Sequence, residues 1–231
     1  MPGYNERLFS GGIRSWFHLA RFRWVQKRVA AIRLSPLRIV ELGCFDGRLV
    51  SLLEPERYVG FDADWEGGLT SARRIFSDRR GIDFIKCESP RDLRFPFSDP
   101  NLFVSLETLE HIQPGDLEEY VRRLSQIGCD YGLVTVPNEK GIVFLLKYVA
   151  KLVLFGDGER YRLKEVIAAT FGRMARVERR EHKGFDYEEL AGLLARYWHV
   201  DRVEGVQWPR LPTFLNLQIG FVLHGKAVPR L

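Results

Sequence analysis

Arg38-Ile-Val-Glu-Leu-Gly-Cys-Phe-Asp-Gly-Arg-Leu-Val50, followed after a helical stretch by Tyr58-Val-Gly-Phe-Asp62, decides the fold. Ile39 and Val40 are the β-branched end of a buried strand, Gly43 and Gly47 bracket a tight turn, and Arg48 to Leu53 opens a helix whose N-terminus faces that turn. Asp62 ends the next strand. It stands about 20 residues beyond the glycine turn, where a Rossmann-type unit places a carboxylate to hydrogen-bond a ribose hydroxyl pair.

The spelling of the turn separates two ligand classes. A dinucleotide needs Gly-x-Gly-x-x-Gly so that backbone can approach a pyrophosphate, but Phe45 fills the middle position and Asp46 repels phosphate at the helix start. S-adenosylmethionine carries no phosphate. Its sulfonium, ammonium and ribose suit Glu41, Asp46 and Asp62 around the turn.

Four further stretches lie downstream in order: Asp83-Phe-Ile-Lys-Cys-Glu88-Ser89, Leu93-Arg-Phe-Pro-Phe-Ser-Asp99, Ser105-Leu-Glu-Thr-Leu-Glu-His111 and Val134-Thr-Val-Pro-Asn138. With the turn, they make Arg38 to Asn138 resemble the class I S-adenosylmethionine-dependent methyltransferases, in particular the small-molecule group whose turn reads Glu-Leu-Gly-Cys-Gly-x-Gly. Phe45 departs from the middle glycine of that motif, and Glu88 from the more common aspartate. The resemblance implies a Rossmann-like, doubly wound, seven-stranded α/β sheet, mostly parallel and closed by a C-terminal antiparallel hairpin. It also implies S-adenosyl-L-methionine as cofactor, held by Glu41, Gly43, Cys44, Gly47, Asp62, Ala63, Glu88, Ser89 and Leu106.

The residue pattern agrees. Strands are predicted at Arg38 to Glu41, Tyr58 to Asp62, Asp83 to Lys86, Leu102 to Leu106 and Tyr131 to Val136, with helices near Gly47 to Leu53, Leu69 to Ile75 and Leu117 to Ile127. Tyr187 to Tyr197 reads as the last helix, and His199 to Val206 and Phe214 to His224 as the closing strands. With 231 residues, 45% of them hydrophobic, the chain can bury a substantial core. We expect one domain: a basic helical arm (1–36), a cofactor-binding core (37–138), an acceptor-side insertion or lid (139–185), then the last helix and strands (186–231). Cys44, Cys87 and Cys129 show neither metal-ligand spacing nor an even count, and no apolar leader opens the sequence, so a reducing, cytoplasmic setting is expected.

Two segments stand outside this core. Between Arg7 and Arg38 eight Arg and Lys residues face one acid, Glu6, and account for most of the net charge of +5. Trp16, Leu19, Phe22, Val25, Val29 and Ile32 recur there at helical spacing, so the arm reads as an amphipathic helix with a basic outer face. Gly141 to Phe155 reads as an apolar helix interrupted by Lys147 and Lys151, too short and too charged to span a bilayer. The arm suits three settings: packing over the sheet, an RNA backbone, or anionic lipid headgroups at the inner face of a membrane, with Trp16, Phe17, Phe22 and Trp24 as interfacial aromatics. Nucleic acid is the weaker partner. No Asp/Asn-Pro-Pro-aromatic tetrapeptide follows the fourth strand, and no cysteine follows a proline.

Methyl transfer from a sulfonium is an in-line displacement, so holding the acceptor lone pair opposite the sulfur supplies most of the rate. A base matters for weakly acidic acceptors. His111, with Glu107 and Glu110 beside it, is the candidate just past the fourth strand, and it reads equally as a helix-capping histidine. His182 is the second candidate, in a loop before the helix that Asp186 caps, and it also reads as solvated. Asn138 reads as an acceptor contact or as turn chemistry. The pair Glu107 and His111 points to O-methylation of a small-molecule, glycan or lipid-linked acceptor. A non-catalytic S-adenosylmethionine-binding interaction protein, its transfer geometry obstructed by Phe45, is the rival from another class.

Overall fold

The computed structural model describes residues 13–155, 161–180 and 183–226. Seven strands form one sheet: β1 (Arg38–Leu42), β2 (Arg57–Asp62), β3 (Ile82–Lys86), β4 (Leu102–Leu106), β5 (Tyr131–Pro137), β6 (Trp198–Gly205) and β7 (Gln218–Gly225). Their order is β3-β2-β1-β4-β5-β7-β6. β1 to β5 pair in parallel, and β7 runs antiparallel to β5 on one side and β6 on the other. The chain leaves β1 toward β2 and β3, then returns to the far side of β1 as β4. That reversal opens a crevice at the carboxyl ends of β1 and β4, where sheets of this type bind ligands.

Period-two alternation along the strands builds two cores. Ile39 and Tyr58 face one side with Leu49, Leu69 and Val25, while Val40, Val59 and Phe61 face the other with Leu124, Leu190 and Trp198. The first side is covered by α1 (Ile13–Ile32), α2 (Arg48–Leu53) and α3 (Gly68–Ile75), the second by α4 (Pro114–Gln126) and α7 (Tyr187–Tyr197). Asp186 caps α7 as expected, accepting from the Glu188 N–H at 2.9 Å. Lys140 joins that carboxylate at 2.6 Å and so ties the segment after β5 to the last helix.

Three expectations are corrected. The closing strand begins at Gln218, not Phe214, because Thr213–Leu215 forms a 3-10 turn closed by the buried Asn216, whose side chain bonds the backbone of Trp208 and Pro212. A further helix, α6 (Leu163–Thr170), follows α5 (Gly141–Phe155) and packs on it around Phe144, Tyr161, Ala169 and Met174. The arm takes the first of its three expected settings and packs over the sheet, and it is the interfacial reading of Phe22 and Trp24 that is corrected. Trp24 and Phe22 are buried: the Trp24 indole lies over Gly220 of β7 and donates to Glu204 of β6 at 2.6 Å, and Phe22 is sandwiched by the Arg21 and Arg48 guanidiniums at 5.1 and 5.3 Å. Arg28 pairs with the same Glu204. These two aromatics are thus core residues and do not reach a headgroup region, whereas Trp16 is exposed, its ring 5.9 Å from that of Trp208. The side chain of Phe17 lies outside the described residues.

Candidate cofactor and acceptor site

The glycine turn is built by close approach. Gly43 takes φ +82°, and a Cβ there would sit 1.9 Å from the Thr108 hydroxyl oxygen, so the turn is held directly against the loop after β4. Gly47, φ +73°, has the Phe84 ring where its Cβ would be. The N–H groups of Gly43 and Cys44 both donate to the Phe61 carbonyl, at 2.7 and 3.1 Å, which fixes the turn to β2. Phe45 occupies the left-handed region at φ +46°, a conformation that favours glycine. Its ring packs over Gly68 at the start of α3, where a Cβ would lie 2.6 Å from Phe45 Cδ2. The bulk absent from Gly68 makes room for the bulk present at Phe45.

Asp62 sits at the end of β2, partly exposed. Its Oδ2 accepts from the Phe45 N–H at 2.9 Å and its Oδ1 from the Asp64 N–H at 2.8 Å. Each oxygen keeps a further lone pair for a ligand hydroxyl. Ala63 is partly exposed beside it, and Trp65, 78% exposed, projects from the next turn. Leu106 is buried at the end of β4.

The other residues expected at the cofactor make contacts of their own within the protein. Glu41 is 3% exposed and bonded by the Tyr58 hydroxyl; burial pushes its pKa to about 8, so at neutral pH it carries a proton and lacks the negative charge expected of it. Cys44 is buried beside the same Tyr58, where burial raises the thiol well above its usual range. Glu88 is exposed and pairs with Lys86 at 2.9 Å. Ser89 opens the short Pro90–Asp92 turn, with the N–H groups of Glu88 and Ser89 both donating to Asp92. Asp92 is the acid that shapes this loop, a role sequence reading did not give it.

A second cluster gathers beyond β4 and β5. Glu107 follows β4 in the left-handed region at φ +54°, its N–H bonded to the Thr135 carbonyl at 2.9 Å. Burial raises its carboxyl pKa, and the nearby Arg21 opposes that shift. Glu110 is 2% exposed; burial and then the Glu107 charge hold its carboxyl well above the ordinary range. Glu107 Oε1, Glu110 Oε2 and Arg21 Nε are buried with no hydrogen-bond partner. Three such atoms in one place signal a site completed by something else. Arg21 comes from α1, so the arm contributes to the mouth; its basic surroundings in the sequence gave no sign of this.

His111 ends the 3-10 turn Leu109–His111 and is exposed, its Nε2 3.8 Å from Glu110 Oε1. Of the two acids expected beside this imidazole, Glu107 and Glu110, it is Glu110 that stands next to it. His182 lies outside the described residues. Asn138 is fully buried, donating to the Asn216 carbonyl at 2.9 Å and accepting from the Lys140 N–H, so it clamps the β6–β7 connection and does not face an acceptor. Glu139 pairs with Lys147 of α5 at 2.7 Å at the edge of the same mouth.

No family model and no curated protein matches this sequence. Solved structures do match. The chain is similar to the methyltransferase domain of bacterial CtHen1-CN, at 18% identity and TM-score 0.59 over 90% of this chain and 98% of that one. It is similar to an S-adenosylmethionine-dependent methyltransferase from Clostridium acetobutylicum ATCC 824, at 12% identity and TM-score 0.63, covering 90% and 92%. A third is magnesium protoporphyrin IX methyltransferase (ChlM) from Synechocystis PCC 6803 with bound SAH, at 11% identity and TM-score 0.59, covering 96% and 92%. The fold is that of the class I S-adenosylmethionine-dependent methyltransferases.

Proposed function

We propose that this chain, with its class I methyltransferase fold, binds S-adenosyl-L-methionine and methylates an oxygen of a small-molecule, glycan or lipid-linked acceptor. The observation that carries the reading is Asp62: a carboxylate held by two turn amides at the carboxyl end of β2, opposite a glycine turn pressed onto the loop after β4. A ribose diol fits there, and the turn offers no phosphate cradle. S-adenosylmethionine, when bound, supplies an electrophilic methyl group and a thioether leaving group.

The chain's own residues would bind and position. Asp62 accepts from the ribose hydroxyls, Gly43 and Gly47 let the backbone approach, and Leu106 forms the apolar floor. Trp65, exposed beside the ribose acid, supplies a face for the adenine. Glu139 and Lys147 of α5 would stand at the edge of the acceptor side. His111 accepts the proton that the acceptor hydroxyl loses, and the resulting imidazolium favours the ionised form of Glu110, 3.8 Å away. Packing of the Phe45 ring over Gly68 supports turnover over obstruction by that side chain.

Titration calorimetry tests cofactor choice. We expect micromolar-class binding of S-adenosylmethionine and its demethylated product, and tighter binding of NAD would overturn the assignment. Incubation with methyl-labelled cofactor and fractionated lysate then identifies the acceptor, and labelled oxygen esters or ethers are the expected product.

A further inference from the structure

Apolar surface accumulates on one side of the α5–α6 unit. Along α5, Ile142, Leu146, Val149 and Val153 recur every three or four residues and form one exposed stripe, while Val143 and Phe144 face inward. Along α6, Leu163, Ile167 and Phe171 form a second stripe, with Leu163 77% and Phe171 73% exposed. The two helices pack against each other. Exposed apolar stripes of this length, bordered by polar groups, mark a contact surface.

Charge selects the partner. Beside the α6 stripe a cavity of about 330 Å³ combines Ile167, Ala168 and Phe171 with three cations, Lys164, Arg173 and Arg176. None of the three is ion-paired with a described carboxylate. From Gly141 to Arg180 the described acids are Glu165 and Glu178, both committed: Glu165 to Lys183 at 3.0 Å and Glu178 to Arg180 at 2.8 Å. Apolar side chains for a shallow hydrocarbon boundary thus stand next to cations that no described carboxylate neutralises, suited to phosphate. No described helix is long and apolar enough to cross a membrane, so contact would be peripheral.

We propose that this face docks the protein on an anionic lipid bilayer, with the α5 and α6 stripes at the headgroup boundary and Lys164, Arg173 and Arg176 on lipid phosphates. Of the arm's aromatics Phe22 and Trp24 are buried in the core, while Trp16 stays exposed with its ring 5.9 Å from that of Trp208, so the α5–α6 face and not the α1 arm is proposed as the anchor. Docking does not depend on methyl transfer, so it can fail or hold independently of the function proposed above.

The test is co-sedimentation of the full chain with phosphatidylcholine vesicles, with and without phosphatidylglycerol, at low and high salt. Salt-sensitive binding to the anionic vesicles alone is expected. Arg173→Glu with Arg176→Glu should weaken it about 10-fold or more, each cation contributing on the order of 1 kcal/mol at such a surface. Ile167→Ser with Phe171→Ser should weaken it comparably, and Arg23→Glu with Lys27→Glu on the exposed side of α1 should leave it unchanged. All these positions are exposed, and thermal melts by circular dichroism verify folding. Absence of binding, equal binding to neutral vesicles, or equal loss from the arm variant would overturn the proposal. So would a dimer in solution that Ile167→Ser with Phe171→Ser converts to monomer, since a second copy would then cover the face.

Discussion

The half of the sheet that carries the glycine turn and the half that carries the acceptor mouth are built by different means. Around β1 and β2 the turn is fixed by backbone: Gly43 and Cys44 bond the Phe61 carbonyl, and Asp62 gathers the amides of Phe45 and Asp64. Around β4, β5 and β7 the mouth is assembled from side chains of distant segments, Arg21, Glu107, Glu110 and Gln218, several buried without full hydrogen bonding. Backbone geometry tolerates little variation and recurs across a fold. Side-chain assemblies are where one member differs from another.

Removing the arm's anchor tests whether the mouth depends on α1. Trp24→Ala deletes a buried indole over Gly220 and removes one of Glu204's hydrogen bonds, Arg28 keeping the other, so a loss of about 3–5 kcal/mol, mostly from the lost packing, is expected from denaturant unfolding. A free arm would lose under about 0.5 kcal/mol. On the cofactor half, Asp62→Ala should weaken S-adenosylmethionine binding about 100-fold or more by calorimetry, since each charged hydrogen bond contributes about 1.5–3 kcal/mol. Asp62→Asn, which retains an acceptor for a turn amide, should lose less.

On the acceptor half the signature is inverted. His111→Ala should lower kcat about 100-fold and leave cofactor affinity unchanged, because the imidazole is exposed at the mouth beside Glu110. Unchanged turnover in a folded variant removes His111 from the chemistry.

The same contrast governs what the sequence could reveal. Arg38 to Asp62 was legible because its constraints are local: β-branched residues, glycines at positive φ, and an acid at a fixed distance. α5 and α7 were legible to the residue from apolar spacing and, for α7, the Asp186 cap. α6 was not, because its first turn is satisfied by Glu165 bonding back to the Arg162 N–H, with no Ser, Thr, Asp or Asn at the start to announce a helix. Trp24 could be read as an interfacial aromatic because its partner, Glu204, lies 180 residues away. Periodicity shows that a side is apolar; only the tertiary fold shows what covers it. Glu41 illustrates the same limit at one residue. Its place at the end of β1 was plain, but its protonation depends on burial beside Tyr58.

That protonation gives a graded test of the cofactor half. Glu41 has its folded-state pKa raised from 4.5 to about 8, with burial as the first cause. A raised acid favours folding fully below the unfolded pKa and loses that contribution as pH rises through the folded pKa, because between the two the folded state holds a proton the unfolded state has released. Stability should therefore fall by about 1.4 kcal/mol per pH unit from this group between pH 5 and 8. Glu41→Gln keeps an acceptor for the Tyr58 hydroxyl and removes the titration. The difference in unfolding free energy between the two proteins, followed across that range, isolates Glu41 from Glu107 and Glu110, which titrate in the same direction in both. The variant should gain on the parent as pH rises. A difference independent of pH would show that Glu41 is ionised in the folded protein, and would restore to it the negative charge that its position beside the turn first suggested.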